Sequence, residues 1–351
     1  MSLFLGTPLP IFILRPSTIL IAFVAMLLAF STPTKVDVPL KHFIVSGRAQ
    51  GTTYTIKYLY PDSLFLQDKV DSLLLVVDNS LSLYKTTSSI SKFNASLRGT
   101  PIDIHLLHVV SASLGFSAET LNAFDITSKP ISLLWGFNGP TPSTPPGPLQ
   151  LASVLKHVGP HHISIRNDSL LKDDPHTMID CDGVAQGYTV DQLSQFLLSL
   201  GIKDFMVELG GEVRTSGKSF DGKHWIIGLE DPSASFGTNS IVSKRVSLSG
   251  LAITTSGSLK KFKRLGNAYF SHIMDPRTGR PINNGIVSVT VIARDAITAD
   301  AYDNAVMVFG IQQSFSRFGA DPSIGFHIVY TKADGSLADT SNLRFKDFLL
   351  N

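Results

Sequence analysis

The stretch Ala185–Glu212, AQGYTVDQLSQFLLSLGIKDFMVELGGE, decides the fold class. It predicts a helix over Ala185–Leu200 that ends at Gly201, where a C-terminal glycine belongs. A strand over Phe205–Leu209 follows at once and is closed by Gly210-Gly211. What comes next is more strand: Trp225–Leu229, Ile241–Leu248, Tyr269–Met274 and Ile286–Ala293 all read as extended runs. Only then does a further helix follow, over Ala299–Phe309 with Gly310 at its C-cap. Upstream, His42–Ala49 and Thr53–Tyr60 read as two strands broken at Gln50-Gly51. Leu64–Leu83 carries Val70, Leu73, Leu74, Val77 and Leu81 at helical spacing, so an amphipathic helix is expected there. Ile104–Phe116 predicts another helix. The Pro/Gly-rich run Asn138–Pro148 fits either a linker or a surface excursion within one domain. Helices and strands mixed without regular βαβ alternation predict an α+β fold rather than a doubly wound sheet.

Composition narrows the class further. The chain has 351 residues, 43% hydrophobic and 17% charged, which excludes a disordered, collagen-like or coiled-coil protein. A net charge of +2 argues against a protein held on nucleic acid by electrostatics. The single cysteine, Cys181, excludes an intrachain disulfide and a zinc site built on several thiolates. Near the start, Arg15 precedes the apolar run Ile19–Phe30, and Ala29-Phe30-Ser31 offers a small-x-small cleavage site. Twelve apolar residues are short of the ~20 a bilayer crossing needs. They fit the core of a secretory signal, so residues 1–31 are expected to direct export and 32–351 to form the mature domain. A retained N-terminal anchor, lengthened by Leu9–Leu14, is the rival reading and would hold the protein at a membrane. A buried core helix would show a polar face, which this run lacks.

Four segments put polar residues where packing alone does not ask for them. In Ile179–Tyr188 (IDCDGVAQGY), acids lead into a helix start, which suits a phosphate as well as ordinary N-capping by Asp180 or Asp182. In Val207–Glu212 (VELGGE), paired glycines allow either a close ligand approach or a β-bulge. In Ser271–Pro281 (SHIMDPRTGRP), strand alternation puts Phe270, His272 and Met274 on one face. His272 then reads as a hydrogen-bonded structural histidine or as a general base. In Thr298–Ala305 (TADAYDNA), Asp300, Asp303 and Asn304 stand at i, i+3 and i+4 on one helical face. Carboxylates there complement the helix dipole. They would also serve a hard cation such as Mg²⁺, which takes one or two carboxylates plus waters and phosphates.

These segments, in this order, resemble the ApbE family, the FAD:protein FMN transferases. Gln50–Tyr54 (QGTTY) looks like the family's early GTxY strand. Leu81–Tyr84 with Ser89–Asn94 is similar to its S-x-Y…S-x-I-S-x-F-N segment. Ala123–Thr127 with Leu134–Phe137 resembles its FD-[IV]-T…LWGFG block, and Asp275–Pro281 and Ser288–Ala293 match almost letter for letter. The resemblance implies a T-fold-like α+β architecture of mixed and antiparallel sheets with packed helices. It implies Mg²⁺-dependent cleavage of FAD, transfer of FMN to a Thr or Ser hydroxyl of a target protein, and release of AMP. The acceptors it implies are exported flavoprotein subunits of redox-driven ion pumps and related electron-transfer proteins, which places the enzyme in the periplasm or on the outer face of the inner membrane. Carried over position by position, Gln50, Tyr84, Ala123, Phe124, Asp125, Asp180, Gln186 and Met274 would line FAD. The Gly183 carbonyl, Asp300, Asp303 and Asn304 would face Mg²⁺, and His272 would be catalytic. Three positions depart from the family's habit: Asn304 replaces Thr, Gln186 replaces Lys, and Gln50 replaces Met. Two other functions share most of these residues: a Mg²⁺-dependent FAD pyrophosphatase yielding FMN and AMP, and a non-catalytic periplasmic FAD-binding protein.

Overall fold

The computed structural model of the chain describes residues 39–137, 139–232, 242–258, 262–265 and 268–350. The expected leader, residues 1–31, lies outside them. So do Asn138 and Ile241, which begin two of the expected segments.

The first hairpin pairs β1 (Lys41–Ala49) with β2 (Thr52–Tyr60) in unbroken antiparallel register, from Lys41↔Tyr60 to Ala49↔Thr52. Its two turn residues are Gln50 (φ 50°) and Gly51 (φ 76°). Two positive φ values give the turn whose twist matches that of the flanking strands. Six more strands join them: β3 (Asp204–Leu209), β4 (Glu212–Ser216), β5 (Ala252–Gly257), β6 (Ile286–Ala293), β7 (Gly325–Thr331) and β8 (Leu337–Ser341). Their order across the sheet is their order in the chain, and every neighbouring pair is antiparallel. Helices therefore enter as excursions between adjacent strands. Three of them, α1 (Gln67–Leu81), α2 (Ile104–Glu119) and α3 (Asp182–Ser199), lie between β2 and β3; α4 (Ala296–Phe318) lies between β6 and β7. The α+β expectation holds: each strand pairs antiparallel with its neighbour in the sheet even across the helical excursions, so no parallel βαβ unit forms.

Strand alternation assigns the faces. Tyr54, Ile56 and Tyr58 of β2 and Phe205, Val207 and Leu209 of β3 are buried against Val190, Leu193 and Leu197 of α3 and Val70 and Leu74 of α1. Each such side chain contributes about 1.5–3 kcal/mol of burial. A second core joins α4 to β6 and β7 through Ala305, Val306, Val289, Val291, Phe326 and Ile328. The opposite sheet face carries Val213, Ile253 and Ile292, covered by Leu229, Val246 and Leu248 of the ribbon Trp225–Glu230/Val242–Leu248 and by Phe345. From Leu40 onward the chain forms one compact unit. Ile131 and Trp135, before the Pro/Gly run, share a core cluster with Leu151 and Val158 after it, so that run is an excursion within the unit.

Four local expectations need correction. Tyr269–Met274 is not one strand: Ala268–Ser271 pairs with Phe262–Leu265, and Met274–Asp275 pairs with Arg280–Pro281. The break falls at His272-Ile273, where the Ile273 N–H bonds the Ser271 hydroxyl and its carbonyl accepts from the Ile282 N–H. The shared face of Phe270, His272 and Met274 therefore does not exist. Helix α3 starts at Asp182, three residues before Ala185, and its N-cap position is Cys181, which makes no side-chain capping bond. Asp180 instead accepts the Asp182 N–H at 3.0 Å. Finally, α4 runs from Ala296, capped by Asp295, through to Phe318. Gly310 (φ 78°, ψ 173°) kinks it rather than ending it, a conformation open only to glycine.

Candidate active site

The first turns of α3 and α4 meet at Gly187. A Cβ there would lie 2.5 Å from the Ala296 carbonyl oxygen and 3.0 Å from Asp300 Cβ, so only glycine permits this approach. The Gly187 N–H donates to Asp300 Oδ2 at 3.1 Å. Asp191, one turn further along α3, accepts the Ala296 and Ile297 N–H groups at 3.0 and 2.9 Å and is paired with Arg214 of β4. That contact satisfies two of the orphan donors at the α4 N-terminus and pins the two helices together.

The crossing buries two carboxylates. Asp300 is 5% and Asp303 1% exposed. Asp303 accepts hydrogen bonds from the hydroxyls of Thr254 and Ser256 on β5, at 2.7 and 2.9 Å. Asn304 turns its Nδ2 toward the Gly183 carbonyl (3.3 Å), the Asp300 carbonyl (2.9 Å) and Asp303 Oδ1 (3.1 Å). The four residues expected to face a cation are thus drawn together; Asp300, Asp303 and Gly183 offer oxygen, while Asn304 presents its amide nitrogen. Burial pushes the Asp300 carboxyl well above the usual range, and the charges of Asp303 and Glu212 push it further. Burial does the same to Asp303 against the hydrogen bonds of Thr254 and Ser256. Among the described residues neither has a cationic partner. Two buried carboxylates beside a backbone carbonyl, without a compensating charge, fit a hard divalent cation of the Mg²⁺ kind. A half-turn of the Asn304 amide exchanges its nitrogen for an oxygen toward the same point. No group of three or more His, Cys, Asp or Glu among the described residues is spaced to hold a metal.

The other expected residues fall into three places around this crossing. Gln50, in the β1–β2 turn, donates to the Thr189 hydroxyl of α3 at 2.8 Å, and Gln186 lies against Gly210 in the β3–β4 turn. Asp125 is buried and caps the short turn Ile126–Ser128 by accepting from the Thr127 N–H and hydroxyl. Burial raises its carboxyl. Its buried neighbours Ala123 and Phe124 belong to the core around α4. Asp180 joins that segment through its own N–H to the Ile126 carbonyl and through Lys129 at 3.9 Å. Tyr84, 82% exposed, stands close enough to Asp182 and Asp180 for their charges to raise its phenol, Asp182 the more. Met274 is buried with Trp135 and Ile131, and His272 is half-buried at the strand break just before it. A groove of about 590 Å³ is lined by Tyr269, Phe270, Ser271, Ile282 and Asn283 among others, and His272 follows Ser271 in the chain.

Sequence reasoning missed Thr254, Ser256, the Asp191–Arg214 pair and Glu212. Thr254 and Ser256 carry no signature, because nothing local marks a strand hydroxyl as the partner of a helix 47–49 residues away. The Gly-Gly-Glu turn was visible, but the burial of Glu212 was not.

The ApbE family profile matches residues 50–322. A FAD:protein FMN transferase of Vibrio cholerae is 35% identical over 319 residues, covering 89% of this chain and 94% of that one. The protein of the same name from Escherichia coli is 32% identical over 319 residues, covering 88% and 89%. Among solved structures, the flavin transferase ApbE from Vibrio cholerae matches with a TM-score of 0.77 at 35% identity over 89% of this chain and 100% of that one. The apo form of the Pseudomonas stutzeri flavinyl transferase ApbE gives 0.78 at 30% identity over 88% and 97%. Matched along most of its length in sequence, and in the sheet and helices that build the carboxylate crossing, this chain belongs to the ApbE family.

Proposed function

We propose that this chain transfers FMN from FAD to a Thr or Ser hydroxyl of a target flavoprotein, with Mg²⁺ bound and AMP released. The observation that carries the reading is the buried Asp300–Asp303 pair, which has no cationic partner among the described residues and is tied through the Asn304 amide to the Gly183 carbonyl at a helix N-terminus. The names of the relatives support the flavin chemistry. Asp300, Asp303, Gly183 and Asn304 would hold Mg²⁺, which when bound neutralises charge on the pyrophosphate. Gln50, Gln186, Tyr84, Ala123, Phe124, Asp125, Asp180 and Met274 line the FAD. The acceptor oxygen forms a bond to the FMN phosphorus as the bond to AMP breaks. His272 takes the hydroxyl proton, a role its half-buried place leaves open.

Export belongs to the same proposal. The order Arg15, apolar run, Ala29-Phe30-Ser31 supports a leader that delivers the enzyme to the periplasm or the outer face of the inner membrane. Its acceptor there would be a subunit of a redox-driven ion pump or a related electron-transfer protein. Among the described residues no helix is long and apolar enough to cross a membrane. N-terminal sequencing of the native protein should start near Thr32; an intact Met1 on a cytosolic product rejects export.

The activity is tested by incubating the chain with FAD and Mg²⁺, with and without an acceptor domain, and separating the products. Covalent FMN on the acceptor with an equal amount of AMP is the expected result. Free FMN and AMP regardless of acceptor assigns FAD hydrolysis instead. Intact FAD in every tube rejects catalysis.

A further inference from the structure

Two acceptor-only side-chain oxygens are buried without a donor among the described residues, Gln50 Oε1 and Glu212 Oε2. Glu212 is the more demanding case, because it is a carboxylate and only 9% exposed. The sheet register says where it points. Val213 packs on the ribbon-covered face, so its neighbours Glu212 and Arg214 project to the helix face. Strand β4 packs against both α3 and α4 on that side. Arg214, the one cation adjacent on this face, is committed to Asp191. Strands β4 and β5 pair through Ala252↔Arg214 and Ile253↔Val213. One step beyond that last pair stand Glu212 on β4 and Thr254 on β5, and Thr254 is the residue that donates to Asp303. The charge of Glu212 is felt by both Asp300 and Asp303.

Glu212 thus faces the carboxylate pair, yet the three are not spaced as a direct ligand set. Mg²⁺ keeps several of its waters when held by one or two carboxylates, and those waters are strong donors that need acceptors. Outer acceptors of this kind orient the inner ones and tune the ion.

We propose that Glu212 is a positioning residue of the cation centre, accepting a hydrogen bond from a water bound to the divalent ion held by Asp300 and Asp303. This inference rests on the Mg²⁺ reading above and adds a residue to it.

The test uses the full chain stripped with chelator and titrated with MgCl₂ without FAD, following heat of binding and melting temperature. Glu212→Gln keeps the shape and removes the charge; Glu208→Gln is the control, since that carboxylate is already engaged by the Gly211 N–H. The expected result is a Mg²⁺ affinity about 10–100-fold weaker in Glu212→Gln, with chelated melting no lower than wild type and Glu208→Gln unchanged. Glu212→Asp, which keeps the charge, should retain more affinity than the amide. Wild-type Mg²⁺ affinity in Glu212→Gln overturns the proposal. So does a melting loss that is the same with and without Mg²⁺, which marks a merely structural residue. A wild-type chain that ignores Mg²⁺ overturns the metal reading itself and this inference with it.

Discussion

Gly187→Ala should destabilise the protein and loosen the carboxylate pair together. Both Gly187 and Gly115 sit inside helices, α3 and α2, so intrinsic propensity favours alanine at each by about 0.5–1 kcal/mol. Their surroundings decide the sign. A Cβ at Gly115 meets nothing within 4 Å, so Gly115→Ala should stabilise by that amount. At Gly187 the new methyl would lie 2.5 Å from the Ala296 oxygen, 2.8 Å from its carbonyl carbon and 3.0 Å from Asp300 Cβ. Carbon contacts relax at about 3.5–4.0 Å, so roughly 0.5–1 Å must be found. The obstacle is backbone held by Asp191 through the Ala296 and Ile297 N–H groups, and it cannot simply rotate away. Overpacking of this kind costs about 1–3 kcal/mol. Against the propensity gain the net loss is about 1 kcal/mol, or ~1–2 °C in melting temperature for a unit running from Leu40 to Asn351. Any relaxation moves α4 from α3 and lengthens the Gly187–Asp300 hydrogen bond, so Mg²⁺ affinity should fall about tenfold. Thermal melts of both variants, in chelator and across a Mg²⁺ titration, test this. A Gly187→Ala protein that melts at or above wild type with an unchanged titration would refute the packing argument.

Asp303→Asn should melt in chelator at or above the wild-type temperature, because it removes a carboxyl that burial opposes, yet lose FAD turnover at limiting Mg²⁺; normal turnover there sinks the ligand role. His272→Ala should keep FAD affinity and slow transfer by roughly 10²–10⁴-fold, so affinity and flavinylation rate are measured on one preparation, and a normal rate moves the base elsewhere. His327, stacked on Phe345 and pushed down to about 4 by burial, contributes stability above pH ~6.5 that is lost as pH falls through 4, about 3 kcal/mol in all. His327→Gln should flatten the acid side of a melting-temperature profile, and an unaltered profile counts against the assignment.

How much of this was legible follows from what local pattern can encode. Gln50-Gly51 announces a two-residue turn because its backbone demand is local, and the spacing of Asp300, Asp303 and Asn304 declares a shared helical face at once. The strand break at His272 was hidden, since alternation continues through the letters while the pairing partner changes from Phe262–Leu265 to Arg280–Pro281. Strands β7 and β8 went unread, as did the hydroxyls that hold Asp303. In each case the deciding fact is which strand lies beside which, and a period of 2.0 or 3.6 does not carry it. The family resemblance supplied a candidate site where periodicity could not, and it drew attention to residues expected to touch the nucleotide. Glu212, proposed to act behind them, was left out.

The charges at the crossing also show what the proposed cation would do there. Asp191 is matched by Arg214, while Asp300, Asp303 and Glu212 have no such partner among the described residues. Burial, and then the charge of Glu208, raises the Glu212 carboxyl to about 7. A group raised on folding contributes stability below its unfolded pKa of about 4.5 and loses it as pH rises through 7, roughly 3 kcal/mol here. Asp300 and Asp303 act in the same direction. Between pH ~4.5 and 6.5 this loss runs against the gain from His327, so the metal-free protein can have a flat profile there with large opposing parts inside it. Above neutrality only the loss remains. A divalent ion reverses it by displacing protons from the carboxyls, so its affinity must climb with pH as they ionise. The fold keeps three groups that burial opposes in one place, and under the proposed function a small, doubly charged ligand would relieve them.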